Sequence, residues 1–242
     1  MEAAGKPLLA FDTATPTARL ALISPAGDCL AERRKTAARH SANLLGLVDE
    51  LLREVGIKVA GLAAIACGAG PGSFTGLRVG LAVAKGLALP TGLPLVLVSS
   101  LDALALDLAA AAPDAALLLP CIDAGKGQVY AKPYTRGVFP KAQSDTDWVL
   151  SPADLCRLAG EMAAGRPLVA GGTGVDRHLD VMRGALGESA VRRSLAGPSA
   201  WATSRLGRER LARGEHDDIE TAVPRYGRPP DITRPKKPLL VG

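Results

Sequence analysis

One stretch, Gly68-Ala-Gly-Pro-Gly-Ser-Phe-Thr-Gly-Leu-Arg-Val-Gly-Leu-Ala-Val-Ala-Lys-Gly-Leu-Ala88, constrains the fold more than any other, because an apolar run stops there in glycines and turns into a helix. Leu62-Ala-Ala-Ile-Ala-Cys67 ahead of it is short and continuously apolar, as in a strand covered on both faces, although a buried helix segment would show the same pattern. The glycines decide for strand, loop, helix. Gly68, Gly70 and Gly72 allow positive φ and close backbone approach, while Pro71 fixes φ and lacks a donor. Ser73 or Thr75 can cap the helix. Along it Gly76, Gly80 and Ala84 recur every fourth residue, leaving a face almost bare of side chains that admits a close neighbour. Leu77, Leu81, Ala84 and Ala88 form an apolar stripe beside that face. The loop has two readings that spacing does not separate: amides cradling an anion at a helix N-terminus, or a tight turn whose glycines are steric.

Known motifs do not fit this loop. No Gly-Lys-Ser/Thr follows at P-loop spacing, and Gly70, Gly72 and Gly76 are one residue off the dinucleotide fingerprint. Ser73 has Pro71 and Thr75 two residues either side, where a nucleophile elbow has glycines.

A chain of 242 residues holds one large domain or two small ones. At 48% hydrophobic and 22% charged residues it reads as globular, with no charge-free run of membrane-spanning length. Met1-Glu-Ala-Ala-Gly-Lys-Pro7 lacks the order of a signal peptide, so a soluble, cytoplasmic protein is the expectation. Cys29, Cys67, Cys121 and Cys156 are widely spaced without C-x-x-C, which argues against disulfides and zinc. A net charge of +5 suits an RNA-containing partner, but much of the excess lies in Arg192–Arg213 and the tail. With aromatics at 3%, no platform for stacking single-stranded bases is evident.

In chain order, Leu8–Asp12, Ala18–Ser24 and Asp28–Arg34 read as a three-strand meander with a hairpin turn at Pro25-Ala-Gly27. Asp12-Thr-Ala-Thr15 ends the first strand, where Asp12, Thr13 and Thr15 either meet phosphate or metal or satisfy their own turn. His40–Gly56 reads as a helix with Leu44, Val48, Leu51, Leu52 and Val55 on one stripe. Leu45 and Leu47 fall outside that stripe, so this helix either covers a partner as well as its own core or is buried inside one domain. His40 has Leu44 where a metal pair would need its second ligand, and reads as a cap or surface residue. Leu95–Val98 is a further strand, Ser99 or Ser100 caps a helix to about Ala112, and Pro113-Asp114 marks a domain boundary. Ala115–Ile122 and Gln128–Tyr134 form a hairpin around Asp123-Ala-Gly-Lys-Gly127, Ser151-Pro starts a helix, and Pro167–Ala170 is a strand before Gly171-Gly-Thr-Gly174. Ser199–Arg213 is a last helix, and residues 227–242 read as a flexible, basic, proline-rich tail.

Four of these segments resemble the TsaB family, subunits of the bacterial machinery that makes threonylcarbamoyladenosine in transfer RNA: Phe11-Asp-Thr-Ala-Thr15, His40-Ser with its leucine-rich helix, Gly70–Gly80 with Lys85-Gly86, and the Asp123–Tyr130 hairpin. The resemblance implies the α/β fold of the acetate and sugar kinase, heat-shock chaperone and actin superfamily, which is ribonuclease H-like. It implies a first domain over residues 1–112, rejoined by the helix at about 199–213, and a reduced second domain over 113–198. TsaD-like paralogues carry a metal-binding histidine pair at positions that fall here on Ser100 and Leu104, so neither a metal site nor catalysis by this chain alone is expected. Ala14 stands where nucleotide-binding members of the superfamily have glycine, so Asp12, Thr13, Thr15, Gly70, Gly72 and Ser73 are expected at most as a vestigial phosphate site, with ATP entering at the level of a complex.

The implied role is a non-catalytic scaffold that binds a TsaD-like transferase, helps recruit a TsaE-like ATPase, meets tRNA through the complex and forms a homodimer when alone. The expected partner surface comprises His40, Leu44, Leu45, Leu47, Val48, Gly76, Leu77, Gly80, Leu81 and Ala84. The alternatives are a small-molecule kinase of the same superfamily, for which Asp12 is the only well-placed acid, and an M22-like peptidase, for which neither metal pair nor activated nucleophile is evident.

Overall fold

The computed structural model describes residues 5–36, 43–137, 147–192 and 195–228. Strands β1 (Leu8–Asp12), β2 (Thr17–Ile23) and β3 (Cys29–Thr36) form the meander, followed by α1 (Leu44–Val55), β4 (Ala64–Gly70), α2 (Phe74–Thr91), β5 (Leu95–Ser99) and α3 (Ser100–Ala111). The first sheet has the order β3-β2-β1-β4-β5, antiparallel through the meander and parallel from β1 to β5.

The second sheet is built from β6 (Leu117–Gly125), β7 (Gln128–Ala131), β8 (Tyr134–Thr135), β9 (Trp148–Leu150), β10 (Leu168–Gly171) and β11 (Val191–Arg192). Helices α4 (Pro152–Ala163), α5 (Thr173–Arg177) and α6 (Leu179–Leu186) interleave with its strands. Its order is β11-β10-β6-β7-β9 with β8 added on β6. Counted from β9, it repeats the first sheet: β9, β7 and β6 are the meander, and β10 and β11 run parallel to β6. Two sheets of one topology are the architecture the superfamily resemblance implies. The β6–β7 turn is a two-residue hairpin at Lys126 and Gly127, both at positive φ.

The alternating strand pattern sorts the first sheet's side chains onto two covered faces. Leu9, Phe11, Leu20, Leu22, Ile65 and Cys67 pack beneath α1 and α2. Leu8, Ala10, Ala21, Ile23, Ala64 and Ala66 face the last helix, α7 (Ala200–Ala212), which returns to this sheet after the second one is complete. Ser199, Ser151, Ser99 and Ser73 each accept a backbone N–H as helix N-caps, as serine favours. No helix among the described residues is long and apolar enough to cross a membrane.

Four expectations are corrected. Helix α1 begins at Leu44, and His40 lies outside the described residues. Leu47 is not surplus: with Leu44, Val48, Leu51 and Leu52 it joins the core, and Leu45 alone of the two outlying leucines is exposed, at 57%. The bare face of α2 does admit a close neighbour, but that neighbour is Thr13 of the same chain. A Cβ on Gly76 would fall on the Thr13 carbonyl oxygen and one on Gly80 on the Thr13 hydroxyl, and Leu77, Leu81 and Ala84 are buried alongside. None of Leu44, Leu47, Val48, Gly76, Leu77, Gly80, Leu81 and Ala84 is therefore free to touch a partner. The segment to Arg228 is also no free tail, because Arg228 bonds Gln128 and Gly227 lies against Tyr130; residues 229–242 lie outside the described set.

Helix propensity and packing oppose each other at Gly76 and agree at exposed Gly160, where an added Cβ meets nothing within 4 Å. We expect Gly160→Ala to stabilise the chain by about 0.5–1 kcal/mol. Gly76→Ala should destabilise it by about 1–3 kcal/mol, because overpacking against a backbone oxygen outweighs the propensity gain. Urea denaturation of the two variants measures both signs.

Candidate functional site

The loop after β4 lies directly on the turn after β1. The Ser73 N–H donates to the Ala14 carbonyl at 2.7 Å, and the Thr13 hydroxyl donates to the Gly76 carbonyl at 2.8 Å. Approach this close needs glycine: a Cβ at position 68 would overlap the Asp12 carboxylate, and one at 72 the Ala14 carbonyl. Gly70, at φ +99°, would meet Leu77 and the Arg225 carbonyl, the latter at 2.8 Å.

Asp12 is buried beneath this junction. Its carboxylate accepts the Ala14 N–H at 2.7 Å and the Ser100 hydroxyl at 2.6 Å, and the Ser100 oxygen in turn accepts the Gly70 N–H at 3.2 Å. Burial pushes the Asp12 carboxyl up to about 6, against the Ser100 and Ala14 hydrogen bonds that pull it down. Thr15 donates to the carbonyls of Thr17 and Ala196. Asp12, Thr13 and Thr15 thus point into the protein with partners of their own.

Two of the amides at this junction are already taken within the chain. The amides of Gly70 and Ser73 donate to Ser100 and Ala14, and the Ala14 carbonyl oxygen occupies the space a glycine cradle would offer an anion. At the positions where the resemblance places a metal-binding pair, Ser100 is committed to Asp12, and Leu104 packs with Ile122 and Tyr130. Among the described residues no three of His, Cys, Asp and Glu gather to hold a metal ion.

Gly72 and Ser73 do border open space. With Phe74, Asp123, Gly125, Tyr130, Tyr226 and Arg228 they line a cleft of about 510 Å³ between the central loop, the β6–β7 hairpin and the C-terminal segment. That segment is strapped in place by the Arg225 N–H on the Ala69 carbonyl at 2.8 Å and by Arg228 on Gln128. At the cleft's edge Phe74 and Tyr226 sit with ring centroids 5.0 Å apart, and the Arg78 guanidinium lies 3.9 Å above Phe74 while its Nε donates to the Tyr226 hydroxyl. The Ser73 hydroxyl is taken as an acceptor by the Gly76 N–H, and among the described residues no histidine lines the walls and no nucleophile–base pair is formed there.

Sequence reading missed Phe74, Arg78, Tyr226 and Arg228. The available signal was a tyrosine between two arginines in Arg225-Tyr-Gly-Arg228, in a chain with only three tyrosines.

Residues 34–157 match the family described as TsaD, tRNA N6-adenosine threonylcarbamoyltransferase. The tRNA threonylcarbamoyladenosine biosynthesis protein TsaB of Escherichia coli is 38% identical over 148 residues, 60% of this chain and 62% of that protein, so the match spans less than two thirds of that relative. The protein of the same name from Bacillus subtilis is 29% identical over 223 residues, covering 90% of this chain and 93% of its own length. A crystal structure from Pseudomonas aeruginosa, described as an uncharacterized protein with similarity to peptidase YeaZ, superimposes with a TM-score of 0.76 at 30% identity, covering 92% of this chain and all of that one.

Because the folded-state value of Asp12 lies above its ordinary 3.8, folding binds a proton more readily than the unfolded chain does, and this group's contribution to stability falls as pH rises from about 3.8 to 6. Comparing Asp12→Asn with the parent chain by denaturant titration should show the parent losing about 2–3 kcal/mol relative to the variant across that window, with a constant difference above it. A pH-independent difference would contradict the buried, upward-shifted carboxyl.

Proposed function

The chain belongs to the TsaB family, and on that premise we propose that it is a non-catalytic subunit in the threonylcarbamoyl modification of tRNA adenosine, holding a TsaD-like transferase through α1 and α2. The likeness to relatives named for that pathway supports the pathway. The observation that carries the scaffold role is the outer face of α2 beside α1. On α2 Leu89 is 67% exposed, with Ala82 and Gly86 exposed and small on the same side of the helix, and on α1 Leu45 is exposed as well. An added Cβ at Gly86 meets nothing within 4 Å, so this is a bare surface of the kind first expected at Gly80, turned outward. Exposed apolar strips of this kind mark partner contacts.

In this reading the same face pairs two copies of the chain when the transferase is absent, since paralogous subunits of one fold can share a self-complementary surface. A TsaE-like ATPase and tRNA join at the level of the complex, and ATP with them. The Gly70–Ser100–Asp12 hydrogen bonds and the apolar packing of Leu104 support a chain without transferase chemistry of its own. Kinase and peptidase readings are favoured by no observation, because the Gly70 and Ser73 amides donate within the chain and no nucleophile–base pair lines the cleft among the described residues.

Gly86→Arg places a charge in the proposed contact without disturbing the core, whereas Gly80→Arg drives a side chain into Thr13. We expect Gly86→Arg to be a folded monomer by light scattering and to lose at least about tenfold in affinity for the TsaD-like subunit of the same organism, equivalent to about 1.4 kcal/mol. Gly80→Arg should fail to fold. A folded Gly86→Arg chain that still forms both assemblies would move the interface off these helices.

A further inference from the structure

The cleft between the central loop, the β6–β7 hairpin and the C-terminal segment has an uncovered aromatic edge. Phe74 and Tyr226 both line the cleft, and they are 42% and 40% exposed. One comes from the first turn of α2 and the other from the segment strapped onto Ala69, and their rings are tilted by 35° at 5.0 Å. The exposed Arg78 guanidinium lies over both, 3.9 Å from the Phe74 centroid and 5.9 Å from that of Tyr226. Its Nε donates to the Tyr226 hydroxyl at 3.0 Å, which holds the cation in place, and Arg78 makes no other hydrogen bond among the described residues.

The charge at this edge is left over. Exposed arginines elsewhere are matched, Arg53 by Asp49, Arg157 by Glu161 and Arg213 by Glu215. Among the described residues neither Arg78 nor Arg228 meets a carboxylate: Arg228, on the cleft wall, donates to the carbonyl oxygens of Gly125 and of the Gln128 side chain. Asp123 also lines the cleft, and one of its oxygens accepts the Gly125 N–H at 2.9 Å. Aromatic rings under a guanidinium plane, with cationic charge beside them, suit an unpaired base and its phosphates, because RNA loops are read by stacking on such groups. A carboxylate on the wall suits the exocyclic amine of a base. The cleft, at about 510 Å³, is of ligand-pocket size. Low aromatic content hid this platform in the sequence, since two distant segments assemble it.

We propose that this edge holds an unpaired nucleotide of an RNA loop, with the base on the Phe74, Tyr226 and Arg78 cluster and the neighbouring phosphates at Arg78 and Arg228. The inference rests on the reading that the chain serves tRNA modification, and it adds a direct RNA contact to that role. Phe74 and Leu89 are about 22 Å apart along α2, so RNA and the transferase meet different ends of one helix.

Fluorescence anisotropy of the full chain tests it, with a labelled RNA hairpin carrying an unpaired loop, a fully paired RNA duplex of the same length, and AMP as an unlabelled competitor. We expect saturable hairpin binding, with the duplex at least about tenfold weaker and AMP at least about tenfold less effective as a competitor than unlabelled hairpin. Tyr226→Ser and Phe74→Leu should each weaken hairpin binding at least about fivefold. Arg78→Gln should lower the slope of log affinity against log salt by about one. Because Tyr226 also anchors the C-terminal segment, Phe74→Leu at the exposed start of α2 is the variant expected to keep its unfolding midpoint. Absence of saturable hairpin binding would overturn the proposal, as would equal binding of the duplex or hairpin binding that survives both aromatic substitutions. AMP competing as well as the hairpin would make this a free-nucleotide site, and loss of the transferase by Phe74→Leu with hairpin binding unchanged would make it a protein contact; either overturns the RNA assignment. Gly86→Arg distinguishes this contact from the scaffold face, since it should lose the transferase and keep the hairpin.

Discussion

Everything at the centre of this molecule depends on how closely the loop after β4 lies on the turn after β1. Three separate parts of the chain meet there: Asp12–Ala14, Gly68–Ser73 and the start of α3 at Ser100. The C-terminal segment joins them through the Arg225 amide on Ala69. Side chains at 68 and 72 would occupy the space of the Asp12 carboxylate and the Ala14 carbonyl, so glycine is required by contact between backbones. The polar groups brought together satisfy one another, which is why a buried acid can persist there without a cation. The same mutual satisfaction leaves the loop with few free donors for an anion.

The second sheet repeats this device. Its parallel strand β10 ends in Gly171-Gly-Thr-Gly174, and a Cβ on Gly172 or Gly174 would run into Cys121 of β6, as one on Gly72 runs into the turn after β1. Thr173 accepts the Asp123 N–H at 3.1 Å, tying that loop to the strand it covers. Leu104 lies under Gly172 and closes the space between the sheets with a methyl group, where a polar pair would be needed to hold a ligand. A duplicated topology is therefore held together by two glycine loops doing one steric job.

Much of this was legible because strands and helix starts are local properties. The meander, the serine caps and the two-residue hairpin follow from alternation, hydroxyl capping and positive-φ turn chemistry, each decided within a few residues. What failed was the identity of neighbours. Gly76, Gly80 and Ala84 announce that something comes close, but periodicity does not say whether it is a second molecule or Thr13, which is distant in sequence. Leu47 misled for a related reason: a helix packed against both the sheet and α2 buries a wider arc than one stripe suggests. The cleft edge was invisible because Tyr226 reaches Phe74 across some 150 residues, and a proline-containing segment without periodicity gives no hint of where it returns.

These failures share a physical cause that bears on function. Polar side chains in the central loop carry the look of a ligand site because superfamily architecture puts hydroxyls, glycines and an acid at strand ends, where phosphates bind in related folds. Whether they bind one depends on where their donors point, and here the donors of Gly70, Ser73, Thr13 and Ser100 all point at the protein itself. Groups committed to one another rigidify a junction, while groups left over are available to an outside molecule. In this chain the exposed apolar groups lie elsewhere: Leu45 on α1, Leu89 on α2, and the arginine-capped aromatic pair at the cleft's edge. The groups at the strand ends are thus tied here to one another, and what the chain turns outward lies on the exposed sides of α1 and α2 and at the edge of the cleft.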